Sequence, residues 1–172
     1  YLNLSQHPAV TEAAIAAIRT YGVGAGASRL VTGNHPLFSA LEARLADLKG
    51  TDGACVFGSG YLANLGIIST LAGKTDLVLV DEYAHSCIWA GAEASGGTVA
   101  TFRHNDLDDA RNILKAQRAA HRHALIATDG VFSMDGYIAK LDEIAALKQK
   151  YNALLMVDDS HATGFVGPTG RG

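Results

Sequence analysis

The chain has 172 residues, a formal net charge of −3, 48% apolar residues and 18% charged ones, so one domain can bury a real core. No basic stripe appears, which argues against phosphate-backbone binding as the main task and against a nucleic-acid partner. Two cysteines, Cys55 and Cys87, suit a reducing compartment better than a disulfide framework. No apolar run approaches membrane length and no signal peptide is visible, so a cytoplasmic protein without a membrane partner is expected.

In chain order, His7-Pro8 precedes an Ala-rich amphipathic helix in which Val10, Ala14, Ile15 and Ile18 share a face. GVGAGASRLVTGNHP then reads as a loop; Ser28 and Arg29 in it could bind an anion, although a simple turn explains the glycines as well. Pro36 to Leu48 is predicted to be a second helix, with Leu37, Leu41, Leu45 and Leu48 spaced for one buried stripe. Residues 1–52 are thus helices and a Gly-rich loop leading into a larger α/β domain over residues 53–172.

From there strand and helix alternate. Ala54–Phe57, Leu77–Val80, Thr98–Phe102, Ala124–Thr128 and Ala153–Val157 are five predicted strands. Helices are expected from about Tyr61 to Leu71, His85 to Ser95, after the Asn105-Asp106 cap to about Ala119, and from Leu141 to Tyr151. This pattern specifies an α/β fold with a mostly parallel, doubly wound sheet and helices on both faces. Tyr1 is not a methionine and the sequence stops at Gly170-Arg171-Gly172, so both ends are expected to be cuts in a longer protein.

In a parallel sheet all strand C-termini lie along one edge, where open α/β sheets keep their ligands. Four segments should therefore converge: Ser59-Gly60-Tyr61, Asp81 to His85, Asp129 to Ser133, and Asp158 to His161. Ser59-Gly60 before a helix offers N–H groups and a hydroxyl suited to a phosphate. His85 offers a flat imidazole, Ser133 a hydroxyl, and Asp158 a carboxylate at the end of an apolar strand, where it needs a cation or donors. A phosphorylated pyridine would use all four, with Asp158 keeping the ring nitrogen protonated and His161 reaching the ring's phenolic oxygen. Each piece has a plainer explanation: Gly-Ser-Gly as a turn, His85 as a helix cap, Ser133 as a turn closer, Asp159 as a cap. His104, Asn105 and Asp106 read as a helix start. Asp158 is the hardest to explain away, because an unpaired carboxylate ending so apolar a strand is costly.

At these residues the sequence resembles the α-oxoamine synthases, pyridoxal-phosphate enzymes with the aspartate-aminotransferase fold. The resemblance runs through GAGASRLVTGNHPLFSALE, FGSGYLANLGI, DEYAHSCIWAGAEASG, FRHNDL, TDGVFSMDGYIAKL and MVDDSHATGFVGPTGRG, which together span nearly the whole chain. It implies pyridoxal 5'-phosphate as cofactor, with Ser59, Gly60 and Tyr61 near its phosphate, His85 stacked on the ring, and Ser133 and His161 on the ring's oxygen side. Asp158 would pair with the ring nitrogen. It makes His85, Asp158 and His161 the catalytic residues, and places Ser28, Arg29 and His85 on the substrate side. Where the family commonly has Asn-His-Ala-Ser, this chain has Ala84-His85-Ser86-Cys87.

The implied activity joins an amino acid to an acyl-CoA or acyl-carrier-protein thioester with loss of carbon dioxide, in a homodimer. SRLVTGNHP and DDSHATG resemble the branch that uses alanine and a pimeloyl thioester; the glycine and acetyl-CoA branch is nearly as close. The family's Schiff-base lysine lies in a segment downstream of the GRG sequence, and none of Lys49, Lys74, Lys115, Lys140, Lys148 or Lys150 has that context. The chain alone is therefore expected to be inactive. A reading of another class, a metal-dependent α/β hydrolase with Asp158, His161 and His85 as ligands, leaves the helix start and Ser133 unexplained.

Overall fold

The computed structural model describes residues 2–172, which divide into two units, residues 2–56 and 57–172. In the first unit, α1 (Pro8–Tyr21) and α2 (Pro36–Lys49) begin in the same way. A histidine precedes a proline, and its Nδ1 accepts the backbone N–H two residues on, from Ala9 onto His7 and from Leu37 onto His35 (both 3.3 Å). Each ends at a glycine with positive φ, Gly22 at 83° and Gly50 at 66°. The predicted stripe on α2 exists but is not buried: Leu37, Leu41, Leu45 and Leu48 are all at least 36% exposed. Periodicity identified the helix correctly, but it cannot say whether the chain itself supplies a cover for the apolar face.

Ala54–Phe57, expected as a strand, has no regular structure. Its Val56 N–H is taken at 2.9 Å by the Glu42 carboxylate rather than by a neighbouring strand, and a strand needs a ladder partner. The sheet of the second unit accordingly has four strands among the described residues, all parallel: β1 (Leu77–Asp81), β2 (Thr98–Phe102), β3 (Ala124–Asp129) and β4 (Leu154–Asp158), in the order β2-β1-β3-β4.

The crossovers put helices on both faces. On one face, α5 (Leu107–Gln117) and α6 (Leu141–Lys150) pack Leu107, Leu114, Ile144 and Leu147 against Leu77, Leu79 and Ile126. On the other, α3 (Gly60–Leu71) and α4 (Ser86–Ser95) pack Ile68, Ile88 and Ala92 against Val78, Val80, Leu125 and Ala127. Alternate residues of β1 thus serve opposite faces, and both faces are dry, which is why the strand reads as an unbroken apolar run. The last strand, predicted from an apolar run, pairs on one side only among the described residues, and Leu154 is 42% exposed, so β4 is an edge strand here.

The order also fixes where a ligand belongs. After β1 the chain lays β2 on one side, then returns through α5 to place β3 on the other. The C-terminal ends of β1 and β3 are the switch point at which a doubly wound sheet opens a crevice.

Candidate active site

α3 starts at the edge of that crevice because Ser59 caps it, its Oγ accepting the Leu62 N–H at 3.2 Å. That contact occupies the Ser59 hydroxyl, so the phosphate-suited groups left at the helix start are the first-turn N–H groups around Gly60 and Tyr61. Leaving β1, Asp81 turns back into the fold: it is 1% exposed and accepts the Tyr83 N–H (2.8 Å), the Asn105 N–H (2.9 Å) and His104 Nδ1 (2.9 Å). It is a structural carboxylate. His85 then caps α4 through Nδ1, which accepts the Cys87 N–H at 3.3 Å, while its own N–H donates to Asp129 Oδ2 at 3.0 Å. The helix-cap explanation of His85 and its placement at the site hold together.

A groove of about 130 Å³ opens at these strand ends, lined by Gly60, Tyr61, His85, Cys87, Asp129, Asp158, Ser160 and His161. All four expected segments contribute to it. Ser59 and Ser133 do not line it: Ser59 is spent on the cap, and Ser133 lies in the exposed turn after Phe132. Asp159 takes the plainer role, its carboxylate and carbonyl accepting the Thr163 hydroxyl at 2.8 and 3.1 Å. Of the expected helix-start trio, Asp106 is the cap of α5, whereas His104 stacks on Tyr83 at 4.7 Å with Nε2 3.1 Å from Asp135. Ser28 and Arg29 belong to the first unit, where the Arg29 guanidinium forms a two-pronged pair with Glu42 and lies 4.7 Å over the Phe38 ring. Arg29 is thus occupied in holding its own loop.

The two acids of the groove are driven apart. Burial, the largest influence on Asp158, pushes its carboxyl up. The Ser160 hydroxyl and N–H (3.0 Å), the Asn64 amide (2.6 Å) and nearby His85 outweigh it and hold Asp158 below the ordinary carboxylate range. Burial pushes Asp129 up to about 6, helped by the charge of Asp158 and opposed by the His85 N–H. Asp158 is therefore an anion across the working range, with Asp129 a neighbour that resists charging. No group of three His, Cys, Asp or Glu side chains among the described residues is arranged to hold a metal ion, so Asp158, His161 and His85 do not form the ligand set of the hydrolase reading. Sequence reasoning did not find Asn64 or Cys87, whose contributions depend on partners far along the chain.

The model of aminotransferase class I and II matches residues 1–171. The chain belongs to that family. Within it, the relatives of this aminotransferase-family chain are α-oxoamine synthases. It is 59% identical over its full length to the 8-amino-7-oxononanoate synthase of Beijerinckia indica, covering 44% of that protein. It superposes on serine palmitoyltransferase of S. paucimobilis, solved with PLP and myriocin bound, with a TM-score of 0.96 and 39% identity, covering all of this chain and 43% of that one. On the 8-amino-7-oxononanoate synthase of Francisella tularensis the TM-score is 0.82 at 30% identity, covering 100% of this chain and 46% of that one. The chain thus spans less than half the length of the relatives it matches.

Proposed function

We propose that the full-length protein is a pyridoxal-phosphate-dependent acyltransferase of the 8-amino-7-oxononanoate synthase type, joining alanine to a pimeloyl thioester with release of carbon dioxide. The observation that carries the reading is Asp158: a half-buried carboxylate at the end of β4, held anionic by Asn64 and Ser160, and facing a groove with a helix start on its rim. These residues fit the cofactor's chemistry. An anion suits a protonated pyridine nitrogen, the N–H groups around Gly60 and Tyr61 suit a phosphate, and the His85 imidazole suits the face of a ring. When bound, the cofactor supplies an electron sink for a carbanion beside nitrogen.

The chain's own residues would do the positioning. Asp158 would hold a proton on the ring nitrogen, His85 would cover one ring face, and His161 would hydrogen-bond the ring's oxygen substituent. Ser133 would reach that oxygen only if its turn moves towards the groove, and Ser28 and Arg29 belong to the substrate side in this reading. The lysine that carries the cofactor would come from outside residues 1–172, and the working form would be a homodimer in the cytoplasm. Identity of 59% to a protein named 8-amino-7-oxononanoate synthase supports that substrate pair over glycine and acetyl-CoA.

Pyridoxal phosphate added to the full-length apoprotein should produce a visible absorption band that borohydride bleaches, and alanine with pimeloyl-CoA should then release free CoA. Asp158→Ala should keep the far-ultraviolet circular dichroism and lose turnover by at least a hundredfold. Turnover near the parent level in that variant, or activity that follows an added metal and not pyridoxal phosphate, would sink the assignment.

A further inference from the structure

At the groove wall two buried side chains join the acid of β4 to the histidine of α4, Cys87 in the lining and Asn64 behind it. Asn64 on α3 is 7% exposed and Cys87 on α4 is 2% exposed. The Asn64 amide donates to Asp158 Oδ2 at 2.6 Å and lies 3.1 Å from Cys87 Sγ, while Sγ lies 2.8 Å from His85 Nδ1. The relay therefore runs Asp158, Asn64, Cys87, His85, and all but Asn64 line the groove.

Its proton inventory is determined by two contacts at one nitrogen. His85 Nδ1 lies 3.3 Å from the Cys87 backbone N–H at the start of α4, a long contact, and only 2.8 Å from Cys87 Sγ, so the backbone N–H biases that nitrogen towards presenting its lone pair and the closer thiol decides it. A proton on Nδ1 would set two donors against each other and uncap the helix. The ring proton consequently sits on Nε2, and the thiol S–H is the second donor directed at Nδ1. Burial pushes the Cys87 thiol up, and the charges of Asp158 and Asp129 add to this, against the Asn64 amide; the sulfur therefore keeps its proton. This close sulfur–imidazole pair is not a thiolate–imidazolium nucleophile. Its sulfur takes an N–H from Asn64 and gives an S–H to His85.

We propose that Asn64 and Cys87 are positioning residues, Asn64 orienting the Asp158 carboxylate and Cys87 fixing His85 as the Nε2–H tautomer, so that His85 meets an oxygen of the bound amino acid or thioester as a hydrogen-bond donor and not as a base. The proposal deepens the function proposed above and rests on it for the identity of the ligand, but its proton assignment belongs to the protein alone. A hydroxyl at position 87 would serve in the same way, and an apolar side chain would not.

The test uses full-length apoprotein with 15N-labelled histidine, observed by long-range proton–nitrogen correlation at pH 7.5. The parent and Cys87→Ser should both show His85 as a single Nε2–H tautomer. Cys87→Ala should show a mixture of tautomers and, after loading, a KM for alanine raised about fivefold with kcat little changed, restored by Cys87→Ser. Asn64→Ala should lower affinity for pyridoxal phosphate about tenfold at unchanged circular dichroism, because it removes a hydrogen bond to a charged group. An Nδ1–H tautomer or an imidazolium in the parent would overturn the proposal. So would Cys87→Ala that keeps the parent's tautomer and KM. Parent protein that binds no pyridoxal phosphate would refute the proposed cofactor instead, and would leave the apoprotein spectrum to decide the tautomer.

Discussion

Asp129→Asn isolates the electrostatic cost of placing a second acid beside Asp158. Asp129 is 3% exposed, and burial raises it from 3.8 to about 6. In the unfolded chain it ionises near the ordinary carboxylate value, so the folded state holds the extra proton between about pH 4 and pH 6. Stability from this group is fully present below about pH 4 and is lost as pH rises through about 6. A gap of about two units corresponds to about 3 kcal/mol in full, roughly half of it developing between pH 5 and pH 8. Asparagine keeps the shape and the acceptor for the His85 N–H but cannot ionise, so it escapes this loss. Whatever constant offset the amide introduces, the stability of the variant relative to the parent should rise by about 1–2 kcal/mol from pH 5 to pH 8. Urea unfolding of the full-length apoprotein at pH 5, 6 and 8, with the slope checked for constancy, measures that change. A difference between variant and parent that is flat across those pH values would show that Asp129 ionises normally, and the account of two acids driven apart would fail.

Asp76 should show the opposite sign. It is 1% exposed, accepts Arg122 at 3.0 and 2.7 Å and the N–H groups of Gly73 and His123, and these donors hold it well below the ordinary range. Asp76→Asn should cost about 2–4 kcal/mol at neutral pH, a loss that shrinks as acid protonates the parent; an equal cost at pH 7 and pH 3 in urea unfolding would contradict it. His104 bridges Asp81 and Asp135 and contacts the Tyr83 and Phe132 rings, the latter at 4.4 Å. His104→Ala should cost about 2–4 kcal/mol in thermal unfolding and speed proteolysis in the turn Ser133 to Asp135, and unchanged cleavage there would show that His104 does not secure the turn.

The parts of the fold legible in the sequence were those written in short-range pattern. Short apolar segments marked the four strands, of which β1 and β3 are buried throughout, and Asp106 announced α5 three residues before the Asp109 N–H it accepts at 3.0 Å. The carboxylate of Asp158 declared itself by the cost of ending an apolar strand in a charge. What stayed hidden depends on the third dimension. Asn64 reads as one polar residue in an apolar helix until β4 brings Asp158 to it across 94 residues. Cys87 reads as a small apolar core residue until the cap of α4 turns His85 onto it. Ala54–Phe57 has a strand's composition, yet Glu42 captures the N–H a ladder would need. The leucines of α2 have a buried helix's spacing while facing outward in this unit.

The reversal of strand order has a further consequence for how the molecule comes into being. His85 and Asp129 touch across 44 residues of intervening chain, because β3 slots in beside β1 only after β2 has gone to the far flank. No contiguous half of residues 57–172 contains the groove, and a nascent chain that has emerged as far as Gln117 has made two of its walls with nothing opposite them. Closing so long a loop comes late in folding, so ligand capture reports the completed sheet and not a partial one.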